Sequence, residues 1–303
     1  MLTFDHYFTC RTLEEAFDAL DRVPGARIVA GATDLLPWAR DGRAGDVHLP
    51  ALVDVSRIPE LGELSVTGGR IRMGAATPIA AFQHDARLLA EAPVLARCAV
   101  WFADDQLREQ ATIGGNIVNA SPAGDSQPAL LALNAQVHLA RRAAGAIRRR
   151  TMPLAAFILG PSKVDLQEGE ILTGFELEAV PGWGGAFEKV GHRRSLVIST
   201  VCLAALARLD WGKRRVEELR VAIGAVGPVP RRLPDVEALL AGKAPTPALL
   251  RDAAELATDQ VRSRTRQEYR REVLVNFIER GIQSALAQAG LHVERAAKDA
   301  LPA

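Results

Sequence analysis

Apolar residues recur along this chain at two spacings, and the changes of spacing divide it into elements. Leu13, Ala16, Phe17 and Leu20 share one face of a helix running to about Arg22. Ahead of them Thr12-Leu13-Glu14-Glu15 is a capping box, in which a hydroxyl and a carboxylate occupy the first free amides of the helix. The run Arg27 to Ala30 predicts a strand, and Ala51 to Val55 a second one that completes a small β-α-β unit before Pro59 interrupts the chain. From Glu63, alternation through Leu64, Val66, Gly68-Gly69, Ile71 and Met73 predicts a hairpin. Thr77-Pro78 starts a short helix toward Phe82, and a longer helix covers about Ala86 to Phe102.

Farther on, the apolar stretch Pro128 to Leu133 predicts a helix, Ala135 to Arg141 and Ala146 to Met152 a second hairpin through Ala144-Gly145, and Ile171 to Leu177 another strand. Pro181-Gly182-Trp183-Gly184-Gly185 reads as a hinge. Beyond it lie the strand Ala186 to Val190, the loop Gly191 to Ser195, and long strands near Val197 to Ala207 and Val216 to Ala225. Helices follow at Asp235 to Ala241, at Pro247 to Val261 behind Thr246, and at Gln267 to Ala287 behind the capping box Thr265-Arg266-Gln267-Glu268. In the last, Leu274, Phe277, Ile278 and Ile282 form one apolar face expected to lie on the sheet. Residues 294–303 are expected to fray, and no internal repeat is visible.

Length and composition narrow the classes. A chain of 303 residues buries a substantial core and is expected to hold two compact units. A formal net charge of +1 gives no global field toward nucleic acid or an anionic membrane, and the basic clusters at Arg148 to Arg150, Lys213 to Arg215 and Arg262 to Arg271 read first as solvated surface. Cys10, Cys98 and Cys202 are isolated, and the six histidines are unclustered, so the chain offers no disulfide framework and no metal or iron–sulfur site of its own. The longest apolar run, Leu196 to Leu209, is too short for a span of ~20 residues and contains Ser199, Thr200 and Arg208, which points to a cytoplasmic protein.

Two glycine-bearing stretches carry the candidate chemistry. One is Ala111-Thr112-Ile113-Gly114-Gly115-Asn116-Ile117-Val118-Asn119-Ala120-Ser121-Pro122-Ala123-Gly124-Asp125, the other Ile28-Val29-Ala30-Gly31-Ala32-Thr33-Asp34-Leu35. Paired glycines expose converging backbone N–H groups and short polar side chains add to them, which suits a clamp on an anion or cofactor; a plain tight turn is the ordinary alternative. Neither stretch is G-x-G-x-x-G or G-x-x-x-x-G-K-[ST], the Rossmann and P-loop patterns.

In order and spacing, Ala30-Gly31-Ala32-Thr33-Asp34-Leu35, Trp101-Phe102, Thr112-Ile113-Gly114-Gly115-Asn116 with Asn119-Ala120-Ser121-Pro122, Asp125 and Phe187-Glu188-Lys189 resemble the FAD-binding medium subunit of the molybdenum hydroxylases, the xanthine dehydrogenase and carbon monoxide dehydrogenase family. The resemblance implies an α+β fold: a vanillyl-alcohol-oxidase (PCMH)-type FAD-binding domain over residues 1–180, with subdomains about 1–55 and 56–180, then a C-terminal domain over 185–290 with a three-stranded antiparallel sheet and helices. It implies a cofactor site made of Ile28, Val29, Ala30, Gly31, Ala32, Thr33, Asp34, Leu35, Phe102, Thr112, Ile113, Gly114, Gly115, Asn116, Asp125, Leu172 and Lys189. There Gly31 to Asp34 and Gly114 to Asn116 would donate to the pyrophosphate, Asp125 would accept from hydroxyls, Phe102 and Leu172 would wall the ring, and Lys189 would be the cation beside it. Taken alone, Asp125 reads equally well as a helix N-cap, Lys189 as a surface lysine and Phe102 as ordinary core. The resemblance also implies partners: a molybdopterin-binding large subunit and a small subunit with two [2Fe–2S] clusters, in a dimer of heterotrimers.

Two departures stand out. Family members that reduce NAD commonly carry acids after the Lys-x-x-x-Arg-Arg loop, where this chain has Ser195-Leu196-Val197, which weighs against NAD as acceptor. The first stretch reads Gly-Ala-Thr for the frequent Gly-Gly-Thr, a change expected to be tolerated at negative φ. For Gly115, a conformation at positive φ is expected, so that Gly115→Val would abolish flavin binding. The competing readings are a free-standing flavin oxidoreductase of the same fold and a flavin-free scaffold subunit; the first would need its own substrate acid and base, the second would show degenerate glycine stretches.

Overall fold

The computed structural model describes residues 1–40, 47–193, 196–263 and 265–293. The chain forms two compact units and passes between them repeatedly: residues 1–81, 103–121 and 134–179 make the first, residues 82–102, 122–133 and 180–303 the second. The last passage is at Ala179/Val180, and two earlier excursions, residues 82–102 and 122–133, join the second unit.

The first unit opens with a parallel sheet whose strands lie in the order Leu2–Thr9, Val47–Asp54, Arg27–Val29. The helix Leu13–Arg22 lays Leu13, Ala16 and Phe17 into a core with Val53, Val55 and Ile171. Its capping box is shifted by one residue: Thr12 Oγ1 accepts from Glu15 N at 3.1 Å, but the Glu15 carboxylate accepts from Arg11 N at 2.7 Å. The strand Leu2–Thr9 is exposed on both faces over Thr3 to Tyr7, so no period-2 pattern betrays it. Behind this sheet lies an antiparallel one, in the order Leu64–Thr67, Arg70–Gly74, Glu170–Glu178, Gln136–Ala143, Ala146–Pro153. Its first hairpin turns at Gly68 and Gly69, φ +59° and +72°, a region open to glycine.

In the second unit three long antiparallel strands, Gly184–Val190, Val201–Asp210 and Arg215–Gly224, are joined by a two-residue edge strand, Arg231–Arg232, so the sheet has four strands where three were expected. The helix Gln267–Gln288 covers it with Leu274, Phe277, Ile278 and Ile282 buried. Its capping box does not form: Arg266 is the N-cap, at φ 52°, without a side-chain cap. Of the expected hinge, Pro181 and Gly182 form a turn, while Gly184 and Gly185 already belong to the strand, where a Cβ at Gly184 would collide with the Ala285 carbonyl of that helix. The long helix expected to end at Phe102 is broken at Ala92, since Pro93 starts a new one, giving Ala86–Glu91 and Pro93–Trp101. The helix Pro247–Glu255 likewise stops early, and a single 3₁₀ turn, Thr258–Gln260, follows. Every residue of the helix Ser126–Ala132 is buried. The fraying expected of residues 294–303 lies outside the described residues.

Candidate functional site

The two glycine stretches meet in the first unit. Ile28 and Val29 belong to the strand Arg27–Val29; Ala30, Gly31, Ala32, Thr33 and Asp34 form the turn after it, and Leu35 begins the short helix Leu35–Arg40. Gly31 lies so close to Gln110 and Ala111 that a Cβ would collide with the Gln110 carbonyl. A side-chain bond, Asn119 Nδ2 to Asp34 Oδ2 at 2.9 Å, ties the same turn to the second stretch. Ala32 sits at φ 53°, the left-handed region, so the negative φ under which the change from glycine would be tolerated is not met. Among the described residues, the N–H groups of Gly31, Ala32, Thr33 and Asp34 meet no acceptor. Consecutive free amides around a left-handed residue make a concave donor nest for an anion.

The second stretch differs from the loop that its glycines suggest. Residues Ile113–Asn119 are helical, with Thr112 as N-cap, and the first four amides all carry internal acceptors. Ile113 N donates to Thr77 O at 3.0 Å, Gly114 N to Ala75 O at 2.8 Å, Gly115 N to Thr112 Oγ1 at 3.2 Å and Asn116 N to Thr112 O at 3.0 Å. The amides of Gly114 to Asn116 are thus engaged within the chain, whereas those of Gly31 to Asp34 meet no acceptor among the described residues. Gly114 is a packing glycine, since a Cβ there would stand 2.6 Å from Ala75 O, whereas exposed Gly115 has helical φ and room limited only by Thr112 Oγ1 at 3.0 Å. Positive φ at Gly115 is therefore corrected. Leu172 is buried in the strand Glu170–Glu178, and the next residue, Thr173, accepts from Ala75 N through its carbonyl.

Asp125, Lys189 and Phe102 belong to the second unit. Asp125 begins the helix Ser126–Ala132 but makes no capping bond. Its carboxylate is held instead by Lys189 Nζ at 2.6 Å on Oδ2 and by Ser199 Oγ at 2.5 Å on Oδ1, and all three residues are buried. Lys189 also donates to the Trp101 carbonyl at 3.0 Å, and Phe102 caps the helix that Trp101 ends. Lys189 is thus no surface lysine. Burial pushes the Asp125 carboxyl upward, against the pull of Lys189 and Ser199. Burial likewise raises the Cys98 and Cys202 thiols beside this pair, leaving them poor nucleophiles. Ser199 and the Gln110 carbonyl have no signal in spacing, because each acts across a long sequence separation.

A family model described as the FAD binding domain in molybdopterin dehydrogenase matches residues 2–178, and the CO dehydrogenase flavoprotein C-terminal domain matches 186–285. The chain belongs to this family of FAD-binding subunits. The xanthine dehydrogenase FAD-binding subunit of Escherichia coli O157:H7 is 30% identical, over 96% of this chain and 99% of that one. The carbon monoxide dehydrogenase medium chain of Hydrogenophaga pseudoflava is 30% identical over 83% of this chain and 85% of its own length. The solved structure of that organism's carbon monoxide dehydrogenase superposes with a TM-score of 0.85 at 28% identity, covering 93% of this chain and 97% of that chain. As in these FAD-binding subunits, the chain is part of an oxidoreductase. The nest at Gly31 to Asp34 fits a diphosphate, since its four consecutive amides meet no acceptor among the described residues.

Proposed function

We propose that this chain is the flavin-carrying outlet of a three-subunit molybdenum hydroxylase in the cytoplasm. FAD would supply two-electron redox chemistry, taking electrons from [2Fe–2S] clusters on a small partner and giving them to an external acceptor. A large partner with molybdopterin would hydroxylate the substrate, and two such heterotrimers would pair. The nest of amides at Gly31 to Asp34 carries the reading, because a dinucleotide's pyrophosphate needs such donors and no acceptor among the described residues occupies them. Within the first unit Asn119 holds Asp34 in place and Leu172 is a candidate wall for the ring; within the second, Phe102 and the locked Asp125–Lys189 pair are candidate cofactor contacts in their own right. Among the described residues no three His, Cys, Asp or Glu side chains are grouped to hold a metal, which supports placing iron and molybdenum on other chains.

The acceptor reading extends this. Leu196 and Val197 are described and carry no acid where NAD-reducing members commonly do; Ser195 and Arg194 lie outside the described residues. NAD reduction is therefore expected to be slow relative to artificial dyes or oxygen. The test of the whole proposal is purification from the native cell: both partner subunits should elute with this chain, with one FAD per copy by absorbance after desalting. A fully active single-chain enzyme would sink it.

A further inference from the structure

The carboxylate of Asp125 has a separate donor on each oxygen, and the two donors come from different parts of the second unit. Lys189, in the strand Gly184–Val190, reaches Oδ2 with Nζ at 2.6 Å; Ser199, just ahead of the strand Val201–Asp210, reaches Oδ1 with Oγ at 2.5 Å. Lys189 turns a further N–H to the Trp101 carbonyl at 3.0 Å, so its ammonium is fixed from two directions. The ion pair exists without the hydroxyl. What Ser199 adds is therefore a question about Asp125 alone.

Ser199 is held in place by its neighbours and not by its own side chain. Thr200 N donates to Val190 O at 2.7 Å, which ties the segment to the strand that carries Lys189, and Arg270 donates to the Thr200 carbonyl. Ser199→Ala thus removes one donor and leaves the backbone where it is. The surroundings magnify that loss. The Lys189 and Asp125 side chains are only 3% and 9% exposed, and Cys98 and Cys202 beside them are fully buried, so a change of charge is poorly screened. As ammonium and carboxylate the pair is neutral; with Asp125 protonated it carries a positive charge. Burial pushes the Asp125 carboxyl upward, and Lys189 and Ser199 pull it down, so the hydroxyl is one of two groups that keep it ionised.

We propose that Ser199 is a positioning residue, whose hydroxyl fixes Asp125 as the carboxylate partner of Lys189 and so sets the charge that the pair presents to the flavin. The inference rests on the reading of that pair as a cofactor contact. A reduced flavin is more negative than an oxidised one, so positive charge near it favours reduction, and a neutral pair keeps it the stronger electron donor. Without the hydroxyl, Asp125 holds its proton to higher pH. The pair is then positive below that pH and neutral above it. The other groups facing Asp125 are Cys98, on the helix Pro93–Trp101, and Cys202, on the strand Val201–Asp210. Burial raises both thiols, so neither takes a charge between pH 6 and 8.

The experiment uses the intact complex carrying the wild-type chain, Ser199→Ala, Ser199→Thr or Asp125→Asn. FAD per chain is read after desalting. The flavin midpoint potential comes from mediated redox titrations between pH 6 and 8, with the partner's iron–sulfur clusters followed in parallel as an internal reference. Ser199→Ala should keep its FAD and, at pH 6, favour flavin reduction at least ~10-fold over wild type, ~30 mV for a two-electron couple, with the gap closing as pH rises. Ser199→Thr keeps the hydroxyl and should restore the wild-type potential. Asp125→Asn leaves the Lys189 ammonium without its counter-charge and should raise the potential across the whole range. An unmoved flavin potential in Ser199→Ala overturns the inference, as does a gap independent of pH or a Ser199→Thr chain that behaves like Ser199→Ala. Loss of FAD or of assembly in Ser199→Ala overturns it too, since the hydroxyl would then serve structure alone. An unmoved potential in Asp125→Asn overturns the reading of the pair as a cofactor contact, and this inference with it.

Discussion

At the scale of single residues, the glycines divide by what surrounds them. Gly31 and Gly114 are required because backbone carbonyls stand where a Cβ would go, whereas Gly115 is a helical glycine at the surface. Gly31→Ala is expected to cost about 1–3 kcal/mol by overpacking and to empty the site of FAD. Gly115→Ala should be close to neutral, since alanine's helix preference of ~1 kcal/mol offsets the crowding of Thr112 Oγ1. Ala32→Gly should stabilise by about 1 kcal/mol, relieving a left-handed alanine. Thermal unfolding and FAD per chain after desalting check all three; a neutral Gly31→Ala would refute the packing account. Ser199→Ala would leave Asp125 Oδ1 without its donor in a buried site and should cost ~1.5–3 kcal/mol, read from urea unfolding. The motif Thr112-Ile113-Gly114-Gly115-Asn116 was legible as important, but its reason was not. Spacing shows that small residues are needed, while only the positions of Ala75 and Thr77 show that Gly114 is also required for internal packing.

At the scale of elements, an ion pair between the half-buried Arg150 and the buried Glu170 fastens the second sheet of the first unit. Glu170, at the start of its strand, takes Arg150 Nε and Nη2 at 2.7 Å each and also Gln167 N at 2.8 Å; Arg150 in turn reaches Asp165. Burial works to raise the Glu170 carboxyl, and the hydrogen bonds and charge of Arg150 with Gln167 N overcome it, so its pKa falls below the ordinary 4.5. A carboxyl lowered on folding contributes stability above its unfolded value, and that contribution is lost as pH falls below about 4.5. Glu170→Gln should therefore lower stability by ~1.5–3 kcal/mol at pH 7, with the gap closing on acidification. Unfolding midpoints from pH 7 to 3 give the answer, and a gap independent of pH would count against it. Hairpins and capped helices were legible because their patterns are local: Gly68-Gly69, Ala144-Gly145 and Thr12 act within a few residues. The strand Leu2–Thr9 was hidden by exposure on both faces, and the helix Ile113–Asn119 by glycines that read as a loop.

At the scale of the molecule, a single cut does not separate the two units. The C-terminal sheet shares its unit with residues 82–102 and 122–133, and those excursions bring Asp125 to Lys189, the Ala132 carbonyl to Arg220, and Pro128 against Gly224. Residues 180–293 expressed alone should thus fail to fold cooperatively, with dispersed amide spectra returning only when the first 179 residues are present. A well-folded fragment would show the excursions to be dispensable.

Those excursions also bear on how the chain is made. The helix Ser126–Ala132 is buried over its whole length, yet the strands it packs with, Val201–Asp210 and Arg215–Gly224, lie some 70 to 90 residues later in the chain. At ~5–20 residues per second, a ribosome leaves that apolar segment uncovered for on the order of ten seconds. Slower synthesis lengthens the exposure. We expect the nascent chain to lean on holding chaperones through that window, and the yield of soluble protein to depend more on their supply than on the stability of the finished fold.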